Sequence, residues 1–330
     1  RIKSMSDIDD IFDDKKLKQS IRKAKVKSIL KIIGVVLIIF IIVSLLNILV
    51  GLNLSKKQYE KNDAYVKLSI PNGYISESNT IIGFLGGTGT YKIAKNMNGK
   101  PVILEDKNSS FGILPPINYS VLNGGGYHIA SQWPVSFWEN GYKKMLFFHP
   151  ELQYKEYKND LADIEKIPDG KLIEMAISFD KPYKVTDLSI IQNKLKPVNV
   201  TWMWLNEFTD KKMQEYQYEI DNYDAKANGV SESDTIGLSL PMAHNGFTYN
   251  PYTQGYDEIV DTLNKSSLPE HKALYDKIIS NGKTKIEDAE ILGVIVHGTK
   301  SELKQLIDNP LIKASSIGVI VDPLYIGEKR

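Results

Sequence analysis

The chain has 330 residues, with 41 Lys and Arg against 40 Asp and Glu, and it contains no cysteine. Without cysteine, disulfide bonds, iron–sulfur clusters and cysteine-ligated zinc sites are excluded. The nearly balanced charge also excludes the strongly basic surface that is typical of nucleic-acid-binding proteins, so we predict no nucleic-acid partner.

Residues 1–31 form a short arm with an acidic first half and a basic second half. The arm has a net charge of about +5, which leaves about −4 for the rest of a chain whose total is +1. Ser6 to Asp9 form a capping-box pattern, and apolar residues follow at helical spacing, so we predict a helix. Attraction to anionic lipid at the membrane surface explains the lysines of the basic half. It does not explain Ile8, Ile11 and Phe12, and a protein partner for these three is the alternative to a solvated arm.

A stretch of 21 residues without a charge, residues 32–52, follows the arm. A helix of this length covers about 30 Å, the thickness of the hydrocarbon core of a bilayer. A cleavable signal peptide usually has a shorter apolar core and ends at a small-residue cleavage site. We therefore predict a retained single transmembrane helix. Ser44 and Asn47 are polar residues within it, and they are either tolerated near the outer interface or bind a second membrane protein.

The charges that flank this stretch predict its orientation. Eight Lys and Arg residues lie within about 20 residues of its N-terminal end, against four on the other side. The positive-inside rule then places the arm in the cytoplasm and everything after Leu52 outside the membrane.

Residues 53–150 are predicted to be a β-rich region with many loops. Alternating polar and apolar residues predict a half-buried strand at 64–70, ended by Pro71, Asn72 and Gly73. Further short strands are predicted at 88–95, 102–105 and 145–148.

Residues 151–330 are predicted to form an α+β domain, with a domain boundary near Tyr154. The predicted strands are 172–179, 198–205, 291–296 and 316–321, and the predicted helices are 186–195, 211–221, 268–280 and 303–308. Thr186 is expected to cap the first helix, and a capping box at Thr299 precedes the last one. Two strand-helix-strand units separated by an insertion at 210–256 suggest a mixed sheet with helices on one face, possibly of ferredoxin-like topology.

Alternation within residues 198–205 predicts an interior strand with two apolar faces. Its first face would carry Val200, Trp202 and Trp204. Its second face would carry Thr201, Met203 and Leu205.

No motif in the sequence points to catalysis, a cofactor or a metal. The glycine-rich segments at 83–89 and 124–126 match no phosphate-binding pattern and are better explained by turns. The histidines are scattered singly without ligand spacing, and no nucleophile elbow is present. His297 directly follows an apolar strand, so it either packs in the protein or binds a ligand in a loop at the end of the sheet. We predict a protein that is not an enzyme.

Several segments of the sequence resemble those of one known family. Residues 167–180 (IPDGKLIEMAISFD) and 200–204 (VTWMW) resemble the C-terminal domain of bacterial sigma-factor regulators, the membrane-bound anti-sigma factors of low-GC Gram-positive bacteria. Residues 292–303 (LGVIVHGTKSEL) are similar to the G-V-V-V-T-G-P-T-K-E-L stretch of that family. Residues 12–18 and 23–27 resemble its N-terminal region.

The resemblance implies a single-pass protein of the cell membrane whose cytoplasmic part sequesters an extracytoplasmic-function sigma factor while the outer domain receives a signal. The arm has about 31 residues and no His-Cys-Cys zinc module, so we expect no complete globular anti-sigma domain in it. It would then bind as a short helix that folds on its partner. The predicted contact residues are Ile8, Ile11, Phe12, Leu17 and Ile21. The alternative is an extracytoplasmic sensing or ligand-binding module whose arm is only an anchor.

Overall fold

We describe the fold from a computed structural model. It describes residues 14–113, 144–222, 229–240, 243–244, 247–248, 255–266 and 268–323. Its internal contacts divide the chain into two units. The described part of the first unit comprises residues 14–56, 81–88 and 110–113, and the second unit holds the remaining described residues. The four-part division of the chain made from the sequence stays a prediction.

Helix α1 (Asp14–Ser69) is the longest element. Among the described residues it is the one helix that is long and apolar enough to cross a membrane, with a mean hydropathy of 3.2 in its most apolar window. The predicted strand at 64–70 is wrong, because these residues form the C-terminal end of α1. The helix end is packed on both sides, so its alternating apolar residues Val66, Leu68 and Ile70 are all buried. An alternating sequence pattern alone cannot distinguish this arrangement from a strand.

A three-stranded sheet follows, in the order β1 (Gly73–Ile82), β2 (Gly86–Met97) and β3 (Lys100–Gly112). The strands predicted at 88–95 and 102–105 are confirmed and are longer than expected. Strand β1 was not predicted, because most of its residues are exposed and polar. The glycines at 83–89 lie in and beside the β1–β2 turn, as expected.

The larger sheet has five antiparallel strands in the order β12-β5-β11-β6-β8. Its strands are β5 (Leu172–Lys184), β6 (Asn199–Leu205), β8 (Gly237–Ser239), β11 (Glu290–Thr299) and β12 (Ile312–Val321). The predicted α+β class is confirmed, but the predicted mixed sheet is wrong, because every strand pair of this sheet is antiparallel. A helix connects β5 to β6, and another connects β11 to β12. In the sheet, β11 lies between β5 and β6, and β5 lies between β11 and β12. The ferredoxin-like relationship stays a prediction.

The remaining elements are short. The helices are α2 (Leu188–Lys194), α3 (Asp210–Asn222), α4 (Tyr256–Lys265), α5 (Pro269–Ser280) and α6 (Lys300–Lys304). Strands β4 (Leu146–Phe147) and β7 (Val230–Ser231) pair with each other, and so do β9 (Ala243–His244) and β10 (Phe247–Thr248). A 3-10 helix spans Asp160–Lys166. Helix α4 and strand β8 lie in or beside the predicted insertion and were not predicted.

The two helix caps have different outcomes. The capping box at Thr299 is confirmed, since its hydroxyl accepts from the N–H of Glu302 and the Glu302 carboxylate accepts from the N–H of Thr299. The helix it starts begins at Lys300, earlier than predicted. The cap at Thr186 is wrong, because this residue lies inside a 3-10 turn that leads into α2.

Strand β6 lies between β11 and β8, so the predicted interior strand is confirmed. The predicted position of Val200 is wrong. The larger core contains Val200, Met203 and Leu205, and a smaller core contains Trp202 and Trp204. The partners of Trp202 and Val200 on β11 are consecutive residues, so Thr201 is the extra residue of a β-bulge. A bulge of one residue reverses the faces of all residues before it.

Candidate functional site

The last turn of α1 and the residue that follows it are buried in the second unit. Val66 is fully buried, and Leu68 and Ile70 are nearly so. Leu68 belongs to the large core beneath the five-stranded sheet, whereas Val66 and Ile70 belong to a second core with residues of β2 and β3. The helix end is therefore packed on two sides. We call Val66, Leu68 and Ile70, together with the two cores that receive them, the helix socket.

An ion pair with α4 adds to this attachment. The Lys67 ammonium lies 2.8 Å from Glu258 Oε1 and 3.0 Å from Asp63 Oδ2. Burial acts to lower the pKa of Lys67, but hydrogen bonds and charge from the two carboxylates outweigh it and raise this pKa. The pair remains partly exposed, so it orients the helix end more than it stabilises the fold.

A chain of polar contacts begins at the turn that ends α1. Asn72 has a φ of 57°, in the left-handed region that Asn tolerates better than most residues. Its amide donates to Thr201 Oγ1 at 2.9 Å, and Thr201 Oγ1 lies 3.5 Å from His297 Nε2. The other ring nitrogen, Nδ1, lies 3.2 Å from Asn98 Oδ1. Because an amide oxygen only accepts, Nδ1 is the donor in this contact.

His297 lies inside β11 and is buried, so of the two alternatives the packing of this residue in the protein is confirmed and its position in a loop at the end of the sheet is wrong. Its Nε2 is 3.9 Å from Glu174 Oε1. The histidine therefore connects the turn after α1 with a cluster of charges in the core.

That cluster consists of Lys95, Glu174 and Glu232, all fully buried or nearly so. The Lys95 ammonium lies 3.3 Å from both Glu174 oxygens and 3.3 and 3.4 Å from the two Glu232 oxygens. Backbone N–H groups complete the carboxylate hydrogen bonds: Met145 donates to Glu232 and Val319 donates to Glu174, each at 3.1 Å. Such a cluster, closed to solvent, has no access for a substrate and acts as a structural element.

The two carboxylates differ in their protonation. Burial acts to raise the pKa of Glu174, but the charge of Lys95 lowers it to about 2, with further help from His297 and Val319. Burial raises the pKa of Glu232, and the adjacent Glu174 charge adds to this effect. For Lys95, burial acts to lower the pKa, and the carboxylates outweigh it and raise it. Lys95 and Glu174 therefore form the charged pair, and Glu232 is the group that most readily takes up a proton.

Two cavities adjoin the helix socket, and Leu68 and His271 line both. One has a volume of about 140 Å³ and is also lined by Glu207, Phe208, Asp234 and Leu274. The other is a groove of about 770 Å³ between the end of α1 and helices α4 and α5, lined by Tyr65, Thr262 and Leu268 among others. Both cavities adjoin the same turn of α1, so a molecule bound in either would contact it.

Glu207 gives the smaller cavity a polar wall. Its carboxylate is about 4% exposed, and Oε1 has no hydrogen-bond partner among the described residues. Lys283 is the nearest cation, with Nζ 3.9 Å from Oε1. Burial raises the pKa of Glu207. A buried acceptor without a donor favours a ligand that supplies one, such as a hydroxyl or amine.

Within the described ranges, no group of three or more His, Asp and Glu side chains is arranged to hold a metal ion.

The predicted partner-binding residues lie in the arm. Leu17 and Ile21 are one turn apart on α1, and each is 51% exposed. Ile8, Ile11 and Phe12 lie outside the described residues, so the structure does not bring the five together. Their role stays a prediction.

We did not predict the buried charge cluster from the sequence. One signal was present, because Glu174 interrupts the apolar run of β5, and a carboxylate in a fully buried strand requires a partner. Lys95 and Glu232 lie 79 and 58 residues from it along the chain, and a linear pattern cannot pair residues so far apart.

Comparison with known families gives two matches. The sigma factor regulator N-terminal family model matches residues 18–102, and the sigma factor regulator C-terminal family model matches residues 164–319. No curated protein and no solved structure shows a significant match to the chain. Lys95 lies in the first matched region, and Glu174, Glu232 and His297 lie in the second, so the buried cluster joins the two.

Replacing Lys95 tests the energetic role of the cluster. Lys95→Met leaves the two carboxylates buried without their cation, and we expect it to lower the free energy of unfolding by about 3–5 kcal/mol. Adding Glu174→Gln and Glu232→Gln removes the unpaired charge and should recover more than half of this loss. Tryptophan fluorescence during denaturant unfolding of the full chain in detergent measures both.

Lys92→Met is the matched control on the same strand, because Lys92 makes a surface ion pair with Glu77. We expect its free energy of unfolding to stay close to that of the wild type. A triple variant that is less stable than Lys95→Met, or a Lys95→Met variant as stable as the control, would contradict this role of the cluster.

Proposed function

Because this chain belongs to the sigma-factor regulator family, we propose that it is a membrane-anchored anti-sigma factor whose arm binds an extracytoplasmic-function sigma factor and whose outer domain receives a signal. The two family matches support the regulatory role. The bound sigma factor would be held away from RNA polymerase until the signal arrives.

The membrane topology rests on residues 32–52 of α1. Their apolar side chains are exposed, as lipid-facing residues would be, and the helix is long enough to span a bilayer. The lysine-rich flank on the N-terminal side supports a cytoplasmic arm and an extracytoplasmic C-terminal domain.

The arm offers an apolar stripe for the sigma factor. Leu17 and Ile21 lie on one face of α1, and Ile8, Ile11 and Phe12 continue the apolar character toward the N-terminus. A short amphipathic helix that lies in a groove of its partner is a common recognition mode. We expect the five residues to be buried in the complex.

The observation that supports the signalling proposal is that one helix, α1, connects the arm with the helix socket. Helix α1 starts in the arm, and its last turn is buried in the helix socket. A ligand in one of the cavities lined by Leu68 would favour one position of that turn, and the helix would transmit the change to the arm. The polar chain from Asn72 to His297 fixes the turn in its present position.

Charged substitutions in the arm test the binding surface. Leu17→Asp/Ile21→Asp removes two aliphatic contacts and introduces charge, so we expect binding to the sigma factor to weaken by at least about tenfold. Co-purification of the tagged full chain from its native cells, with mass spectrometry for sigma factors, measures the effect. A reporter that depends on the bound sigma factor should rise to the level of a deletion strain.

The matched control, Gln19→Asp/Val26→Asp, places the same charges on the opposite face of α1. It should keep both binding and repression. If both double variants bind equally, or if an unrelated basic segment in place of the arm preserves repression, the arm is only an anchor and the alternative function holds.

Transmission through α1 is tested by combining two changes. Leu68→Ala opens a cavity in the helix socket and should change the reporter level in a chain that carries Lys56→Ala/Lys57→Ala. In a chain with Lys56→Gly/Lys57→Gly, where each glycine weakens the helix by about 1 kcal/mol, the same change should have little effect.

Leu303→Ala, in the same core but on α6, controls for a general loss of stability and should leave the reporter unchanged at equal protein levels by immunoblot. An equal effect of Leu68→Ala in the alanine and glycine backgrounds would contradict transmission through the helix.

A further inference from the structure

The β1–β2 turn makes specific contacts with Asn47 of α1. The Asn47 amide donates to the carbonyl of Gly83 at 2.9 Å, and the N–H of Leu85 donates to Asn47 Oδ1 at 2.7 Å. Leu85 has a φ of 54°, a conformation that a branched side chain rarely adopts. A residue keeps such a conformation only where its surroundings hold it, and the bond to Asn47 does so here.

Gly51, one turn beyond Asn47, lets the hairpin approach the helix. It is buried, and a Cβ at this position would collide with the side chain of Ile82. Asn47 and Gly51 therefore form part of the surface on which the turn packs. Asn47, expected either to be tolerated or to bind a second membrane protein, has both its polar atoms hydrogen-bonded within this chain.

These contacts fix the depth of the turn in the bilayer, provided that α1 crosses the membrane as proposed above. Asn47 precedes Leu52, the last residue of the span, by five residues, which is about 7–8 Å along the helix. The turn lies beside it, at the level of the outer leaflet.

The composition of the turn and its neighbours suits this depth. Residues 81–88 and 110–113 contain no charged side chain. Three large apolar side chains are strongly exposed there: Ile81 at 73%, Phe84 at 76% and Ile113 at 62%. In water, a cluster of this kind would be unfavourable, whereas at the level of lipid chains its exposure costs nothing.

The backbone at the turn is also suited to an apolar surrounding, where unpaired polar groups are costly. Gly83 donates to the carbonyl of Gly86 at 2.7 Å, and its own carbonyl accepts from Asn47. Leu85 donates to Asn47, and its carbonyl accepts from Ile113 at 3.0 Å. Both backbone groups of Gly83 and of Leu85 are therefore hydrogen-bonded.

We propose that the β1–β2 turn, with the adjoining end of β3, inserts into the outer leaflet of the bilayer, that Ile81, Phe84 and Ile113 contact lipid chains, and that Asn47 sets the depth. This inference rests on the proposed membrane topology. It gives the protein a second lipid-contacting element besides the helix. Because the turn is hydrogen-bonded to Asn47, a change in the lipids of the outer leaflet would act on α1 through the turn.

The cysteine-free sequence allows a direct test with single nitroxide labels. The full chain with Phe84→Cys is reconstituted at one copy per lipid nanodisc, and the accessibility of the label to oxygen and to a water-soluble nickel chelate is measured. Phe40→Cys, in the middle of the span, and Lys27→Cys, in the arm, are the deep and aqueous references. We expect residue 84 to show a ratio of oxygen to nickel accessibility well above that of residue 27 and below that of residue 40.

The two reference positions distinguish failure of the proposal from failure of the topology. If residue 40 is shielded from nickel but residue 84 matches residue 27, the helix spans and the turn stays in water. If residue 40 is itself accessible to nickel, the proposed topology fails. Adding Asn47→Leu should raise the nickel accessibility of residue 84, and no change would overturn the role of Asn47.

Discussion

Burial of the last turn of α1 joins this helix to the two cores that surround it. Val66 and Ile70 enter one core and Leu68 enters another, so the helix end is part of the fold of the second unit. A flexible linker in place of this helix end would leave the second unit free to change without effect on the arm. Because the helix is continuous from Asp14 to Ser69, the signalling proposal needs no additional element.

The buried charge cluster gives this attachment its specificity. An ion pair in a core contributes little net stability compared with apolar residues, but removing one partner is costly, so it favours a single arrangement of its strands. Here Lys95 comes from β2, which packs against the end of α1, and Glu174 comes from β5, an interior strand of the five-stranded sheet. The polar chain through Thr201 and His297 reaches the turn after α1, so the same arrangement also fixes Asn72.

Local patterns in the sequence predicted the elements whose determinants are local. Neighbouring residues determine the capping box at Thr299, the long strands β5 and β11 and the apolar stretch of α1. The helical end of α1 was missed because residues 64–70 are buried on two sides, which imitates a strand pattern. The bulge at Thr201, the partners of Lys95 and the contacts of Asn47 with the β1–β2 turn depend on residues far away in the chain, and no local pattern encodes them.

The proposed function depends most on the side of the membrane that each part of the chain occupies. Single cysteines at Lys23 and Lys181, introduced into the cysteine-free chain, can be exposed to a membrane-impermeant thiol reagent in intact cells. We predict that the cysteine at 181 reacts in intact cells and that the cysteine at 23 reacts only after the membrane is opened. Reaction at 23 with protection of 181, or equal reaction of both in intact cells, would contradict the account.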